Sequence, residues 1–379
     1  RDAGYYTATI GKSHYWSHQN TTHLRDGEPY MRNLGFEYIR EVGGPRGTYA
    51  CDSCYTDYLK EKGLYDLFVS DTKERVRDPS ITRPSPFNQE DHMDGYVGRQ
   101  AVDFVDNCSG DRPTCMFVGF PGPHDPWDAP DRFASMYDPA ESPPPIPFIE
   151  HPETVPANVS GKDDFEIRED MTSDTFASIR ANYDGKTSFI DYMCGEILEA
   201  YRRRGWLDDL LVVFLSDHGE MAGDHGRVYK RIFYESALRI PLIIRWPGRI
   251  PEGAVCEAMV ENIDVCPGIL DAIGVEQLQM SLGQSIWHLA GNPGADHRSE
   301  ILSEVYFGGS RNTMLKTRHF KYAMDQEGSG YMLYDMERDP EEQHNLIGDP
   351  KARKTELDMR DALLRRLTAG TFVMESVNH

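Results

Sequence analysis

Leu210–Lys230 reads LLVVFLSDHGEMAGDHGRVYK and joins a hydrophobic segment to a cluster of ionisable side chains. Within it, Leu211–Leu215 is rich in β-branched and aliphatic residues, a pattern typical of a strand that is buried on both faces of an α/β sheet. Asp217 and His218 come directly after this run, where the strand passes into its loop. Because ligands of open α/β sheets bind at the carboxyl ends of the strands, the stretch predicts both a fold class and the position of a site.

The polar half of this stretch has the residue types of an oxyanion site. An aspartate oxygen and a neutral histidine nitrogen can both bind a divalent cation. A second acid–histidine pair follows at Asp224 and His225, and then comes Lys230. A metal ion beside an ammonium group suits a doubly charged oxyanion such as sulfate or phosphate. The Asp-His-Gly tripeptide by itself is equally compatible with a helix N-cap and a turn, so this interpretation depends on the rest of the chain.

Two further predicted strands also end in ionisable residues. Tyr5–Ile10 is rich in aromatic and β-branched residues and is followed, after a glycine, by Lys12 and His14. Cys115–Phe120 predicts a second buried strand, and a proline-rich loop after it carries His124. We expect these groups to face the same crevice as the acid–histidine pair, although a lysine and a histidine in a loop are often solvated surface groups.

The remaining pattern predicts an α/β fold with a large mixed, mostly parallel sheet flanked by helices. From about residue 298 the pattern changes to antiparallel strands with a turn at Gln326–Gly330, followed by a final helix. We therefore predict a large domain over residues 1–297 and a smaller α+β subdomain over residues 298–379. The other elements on which this rests are helices at Asp91–Asn107, Ser178–Arg204, Ile263–Ile273 and Lys351–Leu367, and strands at Phe36–Val42 and Arg239–Trp246.

Composition excludes several classes of protein. The net charge of −22 argues against nucleic-acid binding, which needs clustered lysines and arginines, and an anionic substrate must therefore meet a local cationic pocket. No run of about 18 or more apolar residues predicts a membrane span. Seven cysteines are present, and only Cys51 and Cys54 form a CxxC pair, for which a disulfide and free thiols both remain open. The first residues do not form a signal peptide.

Four motifs in order resemble those of the type I sulfatases of the alkaline phosphatase superfamily. The first is GYYTATIGKSH at residues 4–14, and the second is the PHDP loop at residues 123–126. The third is SDHG at 216–219 with GDHG at 223–226 and Lys230, and the fourth is LYD at 333–335 with DPEE at 339–342 and NL at 345–346. The resemblance covers essentially the whole chain and implies an alkaline-phosphatase-like fold.

The resemblance also implies catalytic roles. Lys12 and Lys230 would bind the sulfate oxygens and stabilise charge as the S–O bond breaks. His124 would protonate the leaving alkoxide, and His14 would hydrogen-bond the nucleophile and help to expel sulfate.

A metal site is implied in the same way. Asp217 and His218 would be two ligands of a divalent metal ion, for which calcium is expected and Mg²⁺ or Mn²⁺ are alternatives. Many family members have asparagine at the position of His218, and histidine there also occurs in phosphonate and phosphodiester hydrolases, so sulfate and phosphate chemistry both remain open. For His225, a contact with substrate and a hydrogen bond within its loop are both open.

One expected motif is absent from the sequence. The nucleophile of the family lies in a Cys/Ser-x-Pro-x-Arg motif, upstream of the lysine–histidine segment, and is oxidised to formylglycine. The near match at Cys108–Arg112 has glycine in place of proline and lies downstream, so we reject it. We expect the chain to be the C-terminal majority of a sulfatase, with the formylglycine and half of the metal site in a segment before Arg1.

These observations favour hydrolysis of a sulfate ester, with a small molecule or a carbohydrate as the substrate. The alternatives are a phosphodiester or phosphonate monoester hydrolase, and a non-catalytic relative that binds a sulfated glycan through the retained cationic groups. The resemblance implies a periplasmic, secreted or lysosomal location. The sequence makes no prediction of the oligomeric state.

Overall fold

The computed structural model describes residues 1–18, 22–148, 168, 170–278, 281–307 and 309–375. The chain divides into two compact units, of which the first comprises Arg1–Pro144 and Met171–Asp208. The second comprises Pro145–Asp170 and Asp209–His379. The predicted domain boundary between residues 297 and 298 stays a prediction.

The first unit contains a parallel three-stranded sheet with β1, Tyr6–Gly11, in the middle. β2, Tyr38–Glu41, and β3, Thr114–Gly119, pair with its two edges. The central strand is the best covered, since Ala8 and Ile10 are fully buried. β3 is not buried on both faces as predicted, because its side chains alternate and Phe117 is 43% exposed. A hydrophobic run therefore marked the strand correctly but overstated its burial.

Two helices of the first unit, α5 (Met93–Asn107) and α6 (Ser173–Arg203), pack closely against each other. Their predicted positions are confirmed, although α6 begins five residues before the predicted start, where Thr172 caps it by accepting a hydrogen bond from the N–H of Thr175. Gly98 lets the two helices approach, because a Cβ at this position would lie 2.4 Å from Cε of Met193. The helices of this unit are α1 Glu28–Asn33, α2 Pro45–Thr48, α3 Cys54–Glu61, α4 Tyr65–Arg77, α5 Met93–Asn107 and α6 Ser173–Arg203, with 3-10 turns at Leu24–Gly27, Asp131–Ser135 and Pro139–Glu141.

In the second unit, β4, Val212–Leu215, pairs antiparallel with β5, Leu242–Arg245. The described residues cover one face of this pair: Val213 and Ile244 pack against an apolar cluster, whereas their neighbours Phe214 and Ile243 are 39% and 60% exposed. This corrects the prediction of a strand buried on both faces. β5 is also shorter than predicted, because a helical turn ends at residue 238 and a proline without an N–H precedes the strand.

A four-stranded antiparallel sheet follows, in which neighbouring strands are consecutive in sequence: β6 (Glu300–Phe307), β7 (Ser310–Thr317), β8 (Phe320–Met324) and β9 (Gly330–Asp335). One face packs against the last helix, with Leu315, Tyr322 and Leu333 buried beside Leu363. The segment MLKTRHFKYAM, predicted as one strand, contains the end of β7 and all of β8, since the chain bends at residues 318–319. The elements are β6 Glu300–Phe307, β7 Ser310–Thr317, β8 Phe320–Met324, β9 Gly330–Asp335, α7 Glu235–Leu238, α8 Val265–Ala272, α9 Trp287–Gly291 and α10 Arg353–Glu375, with 3-10 turns at Asp224–Gly226 and Asn262–Asp264; a further turn is at Leu207–Asp209.

Cys51 and Cys54 both carry free thiols, so the CxxC pair is not bridged. Among the helices in the described ranges, none has the length and hydropathy needed to cross a membrane.

Candidate active site

Lys12 follows β1, and the loop that carries His124 follows the neighbouring strand β3, so the two segments begin side by side. The backbone N–H of Lys12 donates a hydrogen bond to the carbonyl of Gly119, over 2.7 Å. The approach requires glycine on both strands: a Cβ on Gly11, whose φ is +96°, would lie 2.1 Å from the Gly119 carbonyl oxygen. The side chain of Lys12 lies over Gly44, where a Cβ would be 3.6 Å from Nζ. The predicted lysine is therefore at the carboxyl end of the central strand.

Glu41, the last residue of β2, holds the segment that follows Lys12. Its carboxylate accepts hydrogen bonds from Ser13 N over 3.1 Å and from Ser13 Oγ over 2.6 Å. His14 has a left-handed backbone, with φ of 57°, and its ring stacks on that of His18 at 4.8 Å between centroids. His18 Nε2 in turn lies 3.7 Å from Oε1 of Glu41. One buried carboxylate thus fixes the loop that carries both Lys12 and His14.

The ring of His124 is oriented by the next residue. Its Nδ1 lies 2.8 Å from both the carbonyl oxygen and Oδ1 of Asp125. Both oxygens accept only, so Nδ1 carries a proton and Nε2 is left for exchange with a reacting group. Arg46 donates from Nε over 3.0 Å and from Nη2 over 2.8 Å to the other carboxylate oxygen of Asp125.

Asp125 is ionised in this arrangement. Burial, which leaves its side chain 3% exposed, raises its pKa. The hydrogen bond and charge of His124, together with the guanidinium of Arg46, outweigh burial and hold the pKa of Asp125 well below its usual range. The imidazole of His124, whose side chain is 20% exposed, therefore faces a permanent negative charge on its Nδ1 side.

The backbone of the histidine loop is anchored from the unit's interior. Lys186 of α6 donates to the carbonyls of His124 and Pro126, over 3.1 and 3.0 Å, and to Asp128 Oδ1 over 2.7 Å. Burial raises the pKa of Asp128, but the charges of Lys186 and His92 outweigh it and hold that pKa well below its usual range.

A small cavity lies beneath this loop. It has a volume of about 20 Å³, room for one water molecule, and its lining includes the polar side chains of His92, Asp94, Asp128 and Lys186. Asp94 also accepts a hydrogen bond from Gly122 N over 2.7 Å. The loop backbone is therefore held at both ends by buried charged side chains.

In the second unit, Asp217 and His218 form a pair after β4. His218 Nδ1 lies 2.8 Å from the Gly219 carbonyl oxygen and therefore donates to it, which leaves the lone pair on Nε2. That nitrogen is 3.4 Å from Oδ2 of Asp217, whose side chain is 75% exposed. Asn262 supports this loop through Nδ2, which lies 3.4 Å from the Ser216 carbonyl oxygen. The two side chains can bind one cation together, an oxygen from one and a nitrogen from the other.

The second acid–histidine pair belongs to the interior of its unit. Asp224 accepts hydrogen bonds from Ile146 N over 2.8 Å and from Ser236 Oγ over 2.6 Å. The ring of His225 is 1% exposed and stacks on Tyr234 with 3.8 Å between centroids. Its Nδ1 is 3.5 Å from Nε2 of Gln343. These contacts of Asp224 and His225 hold the loop in place. The substrate role predicted for His225 stays a prediction.

Lys230 is half-buried at a bend of the same loop, directly after Tyr229, whose φ is 73°. The carboxylate of Glu220 accepts a hydrogen bond from the N–H of Tyr229, and Met221 N donates to the Tyr229 carbonyl over 2.8 Å. The backbone before Lys230 is therefore well defined, and its catalytic role stays a prediction.

The predicted residues fall into two groups. Lys12, His14 and His124 lie at the strand ends of the first unit, whereas Asp217, His218, His225 and Lys230 lie on the loop after β4 in the second. Across the described ranges, no group of three or more histidine, cysteine, aspartate or glutamate side chains is placed to hold a metal ion.

Four residues that support these groups were not predicted from the sequence, namely Arg46, Asp125, Glu41 and Lys186. A signal existed only for Asp125, which is adjacent to His124 in a loop that was already singled out. The other three are far from their partners in sequence and carry no motif.

Comparison with known proteins gives matches over nearly the whole chain. A family model described as Sulfatase matches residues 1–275, and one described as N-sulphoglucosamine sulphohydrolase, C-terminal, matches residues 223–369. An arylsulfatase of Clostridium perfringens is 26% identical over 368 residues, which cover 96% of this chain and 76% of the relative. An N-acetylglucosamine-6-O-sulfatase of Bacteroides thetaiotaomicron is 32% identical over 187 residues, 46% of this chain and 33% of the relative.

Among solved structures, a phosphonate monoester hydrolase from Silicibacter pomeroyi superposes with a TM-score of 0.72. The alignment covers 98% of this chain and 79% of that chain, at 23% sequence identity. At this level of identity the match establishes the overall fold, and it agrees with the α/β architecture expected from the sequence.

Proposed function

Because the chain belongs to the sulfatase family, we propose that the protein hydrolyses the sulfate ester of a carbohydrate. The observation that carries the proposal is the family match over residues 1–275, which contain every predicted catalytic and metal-binding side chain. The carbohydrate is supported by the relative that acts on 6-O-sulfated N-acetylglucosamine, which matches 46% of the chain.

The side chains of the first unit suit the departure of an alcohol from sulfur. Lys12 would neutralise sulfate oxygens, and it has a defined position at the end of β1. His124 would deliver a proton from Nε2 to the leaving alkoxide, because its Nδ1 proton is held by Asp125. His14, on the loop fixed by Glu41, would hydrogen-bond the nucleophile. Lys230, which belongs to the second unit, keeps the sulfate-binding role that the resemblance implies.

A divalent ion fits the pair at the end of β4. Asp217 Oδ2 and His218 Nε2 are 3.4 Å apart, and the second nitrogen of the ring is already used by a backbone carbonyl. The ion, for which we propose calcium with Mg²⁺ and Mn²⁺ as alternatives, would neutralise the sulfate charge when bound. Two ligands do not complete a calcium shell, which takes about six to eight oxygens, so further ligands are required.

The formylglycine expected of the family has no precursor in this chain. The sequence contains no Cys/Ser-x-Pro-x-Arg motif, and Cys108–Arg112 departs from it at the proline. Formylglycine supplies the nucleophile in this family.

The test is a parallel assay of the full-length, matured protein on N-acetylglucosamine 6-sulfate, an aryl sulfate and an aryl phosphonate monoester, each with added Ca²⁺. We expect release of sulfate from the sugar and the aryl ester, and loss of both activities in Lys12→Ala. A protein that is inactive on both sulfate esters would contradict the proposal.

The second candidate is a phosphonate monoester hydrolase. It is favoured by a nitrogen ligand, His218, at the proposed metal site and by the structural likeness to a phosphonate monoester hydrolase. A ratio of kcat/KM that favours the phosphonate over the aryl sulfate would select this candidate.

A further inference from the structure

Three side chains of the first unit are hydrogen-bonded in series: His124 to Asp125, and Asp125 to Arg46. Asp125 receives the imidazole Nδ1 on one carboxylate oxygen, at 2.8 Å, and the fork of Arg46 on the other, at 3.0 and 2.8 Å. The two oxygens thus have separate partners. Arg46 comes from α2, 79 residues before Asp125, so the arrangement exists only in the folded unit.

We propose that Asp125 and Arg46 are positioning residues for His124, which hold its proton on Nδ1 and make Nε2 the nitrogen that serves the leaving group. The inference deepens the proposed function and rests on His124 as the acid of that reaction. Arg46 acts on His124 indirectly. Its guanidinium fixes the orientation of the Asp125 carboxylate, and that carboxylate fixes the orientation of the imidazole ring.

The position of Asp125 argues against a purely structural ion pair. The backbone of the loop already has other anchors, since Lys186 binds the carbonyls of His124 and Pro126 and Asp94 binds Gly122 N. The carboxylate of Asp125 takes no part in those bonds. It contacts the imidazole ring of His124 and the guanidinium of Arg46. Its 3% exposure also means that water does not compete for the imidazole proton from that side.

Among the described residues, the charged side chains bound to the histidine loop come from three elements. Arg46 lies on α2 and Lys186 on α6, and Asp125 and Asp128 lie on the loop itself. Lys186 donates hydrogen bonds to Asp128 and to backbone carbonyls, and Arg46 donates to Oδ2 of Asp125, the oxygen that does not contact the ring. The charge in direct contact with the ring is therefore the negative one.

The first measurement needs no activity. In ¹⁵N-histidine NMR spectra of the 379-residue chain, Nδ1–H of His124 should appear as a downfield proton that exchanges slowly with water. Asp125→Ala should reduce its downfield shift and speed its exchange, because only the backbone carbonyl of residue 125 then remains as acceptor. Arg46→Gln should reduce both to a smaller extent, and Arg46→Lys should lie between Arg46→Gln and the unchanged protein because an ammonium cannot form the fork. Glu37→Gln and Arg112→Gln remove a 3.0 Å carboxylate–guanidinium pair elsewhere in the unit and are matched controls that should leave the signal unchanged.

The second measurement uses the full-length, matured protein and substrates that differ in their leaving group. An alkyl or sugar alkoxide needs a proton, whereas 4-nitrophenolate leaves without one. Asp125→Asn and Arg46→Gln should therefore lower kcat/KM by about 100-fold for a sugar sulfate, within the scale of general acid catalysis, and by only a few-fold for 4-nitrophenyl sulfate. Asp125→Glu should restore part of the loss on the sugar.

Two results would overturn the inference. One is an Nδ1–H signal that is the same in Asp125→Ala as in the unchanged protein. The other is an equal loss on both esters in variants that retain their melting temperature. A protein without sulfatase activity would refute the proposed function, but the NMR result would still decide whether Asp125 and Arg46 hold the ring.

Discussion

The N–H of Lys12 donates to the carbonyl of Gly119 over 2.7 Å, so the first residue beyond the central strand is tied to the last residue of its neighbour. A Cβ on Gly119 would lie 2.0 Å from the carbonyl oxygen of Lys12, and one on Gly11 would meet Gly119 just as closely. The spacing of the two loops is therefore set by two glycines.

Gly119→Ala should destabilise the first unit by about 1–3 kcal/mol, because the backbone carbonyl of Lys12 cannot move aside without breaking the strand register. Thermal unfolding followed by circular dichroism will measure this. Gly195→Ala is the matched control: Gly195 lies in α6 with nothing within 4 Å of the added Cβ, and this change should stabilise by about 0.4–1 kcal/mol. Equal melting temperatures for the two variants would contradict the close approach.

Lys230→Ala in the full-length, matured protein should lower kcat/KM for an aryl sulfate by about 100-fold or more, the scale of losing one preorganised donor to the transition state. Lys230→Arg should restore only part of this, because a planar fork does not replace a compact point charge. Lys351→Ala, at an exposed lysine of the same unit, is the control. Steady-state activity within a few-fold of the unchanged protein would remove Lys230 from the site.

Asp217→Ala should weaken Ca²⁺ binding to the full-length protein by more than about 100-fold, because loss of a direct ligand exceeds the usual cost of altering an outer one. Isothermal titration calorimetry will measure the affinity. Asp209→Ala, at another exposed acid of the unit, should leave it unchanged.

His218→Asn should shift metal preference from Mn²⁺ towards Ca²⁺, because an amide oxygen replaces a ring nitrogen. Competition between the two ions, measured by the same calorimetry, will show the shift. If the relative affinities of the two ions do not change, His218 is not a ligand.

The first unit should lose stability in acid. The pKa of Asp128 is depressed in the folded chain, since the charges of Lys186 and His92 outweigh its burial. A depressed folded pKa adds stability above the unfolded value of about 3.9, and this stability is lost as pH falls below about 4 because the unfolded chain takes up the proton first. Urea midpoints measured from pH 7 to pH 3 should therefore fall steeply below about pH 4.

Asp128→Asn gives the complementary result. At pH 7 it should destabilise the unit by about 3–5 kcal/mol, because it leaves the ammonium of Lys186 buried with backbone carbonyls alone. The difference from the unchanged protein should shrink below about pH 4, where the unfolded form of that protein takes up a proton on Asp128 and part of the stabilisation is lost. A difference that is constant from pH 7 to pH 3 would show that Asp128 is not ionised in the folded state.

The elements themselves could be read from the sequence, because their signals are local. Helical spacing placed α5 and α6 to within a few residues, and hydrophobic runs marked β1, β3 and β4. The same hydrophobic runs do not indicate whether one or both faces of a strand are buried. Burial depends on which distant segments cover each face, and the exposed side chains of Phe117, Phe214 and Ile243 are not distinguishable from buried ones in a list of residues.

For the site, the sequence alone determined which ionisable side chains stand at strand ends, namely Lys12, His14, His124, Asp217 and His218, because a motif keeps its residues adjacent. Only the tertiary structure decided how they are held. Arg46 reaches Asp125 across 79 residues, and Glu41 reaches Ser13 across 28. A hydrogen bond requires atoms about 3 Å apart in a set direction, and such contacts between distant residues depend on how the strands and helices pack.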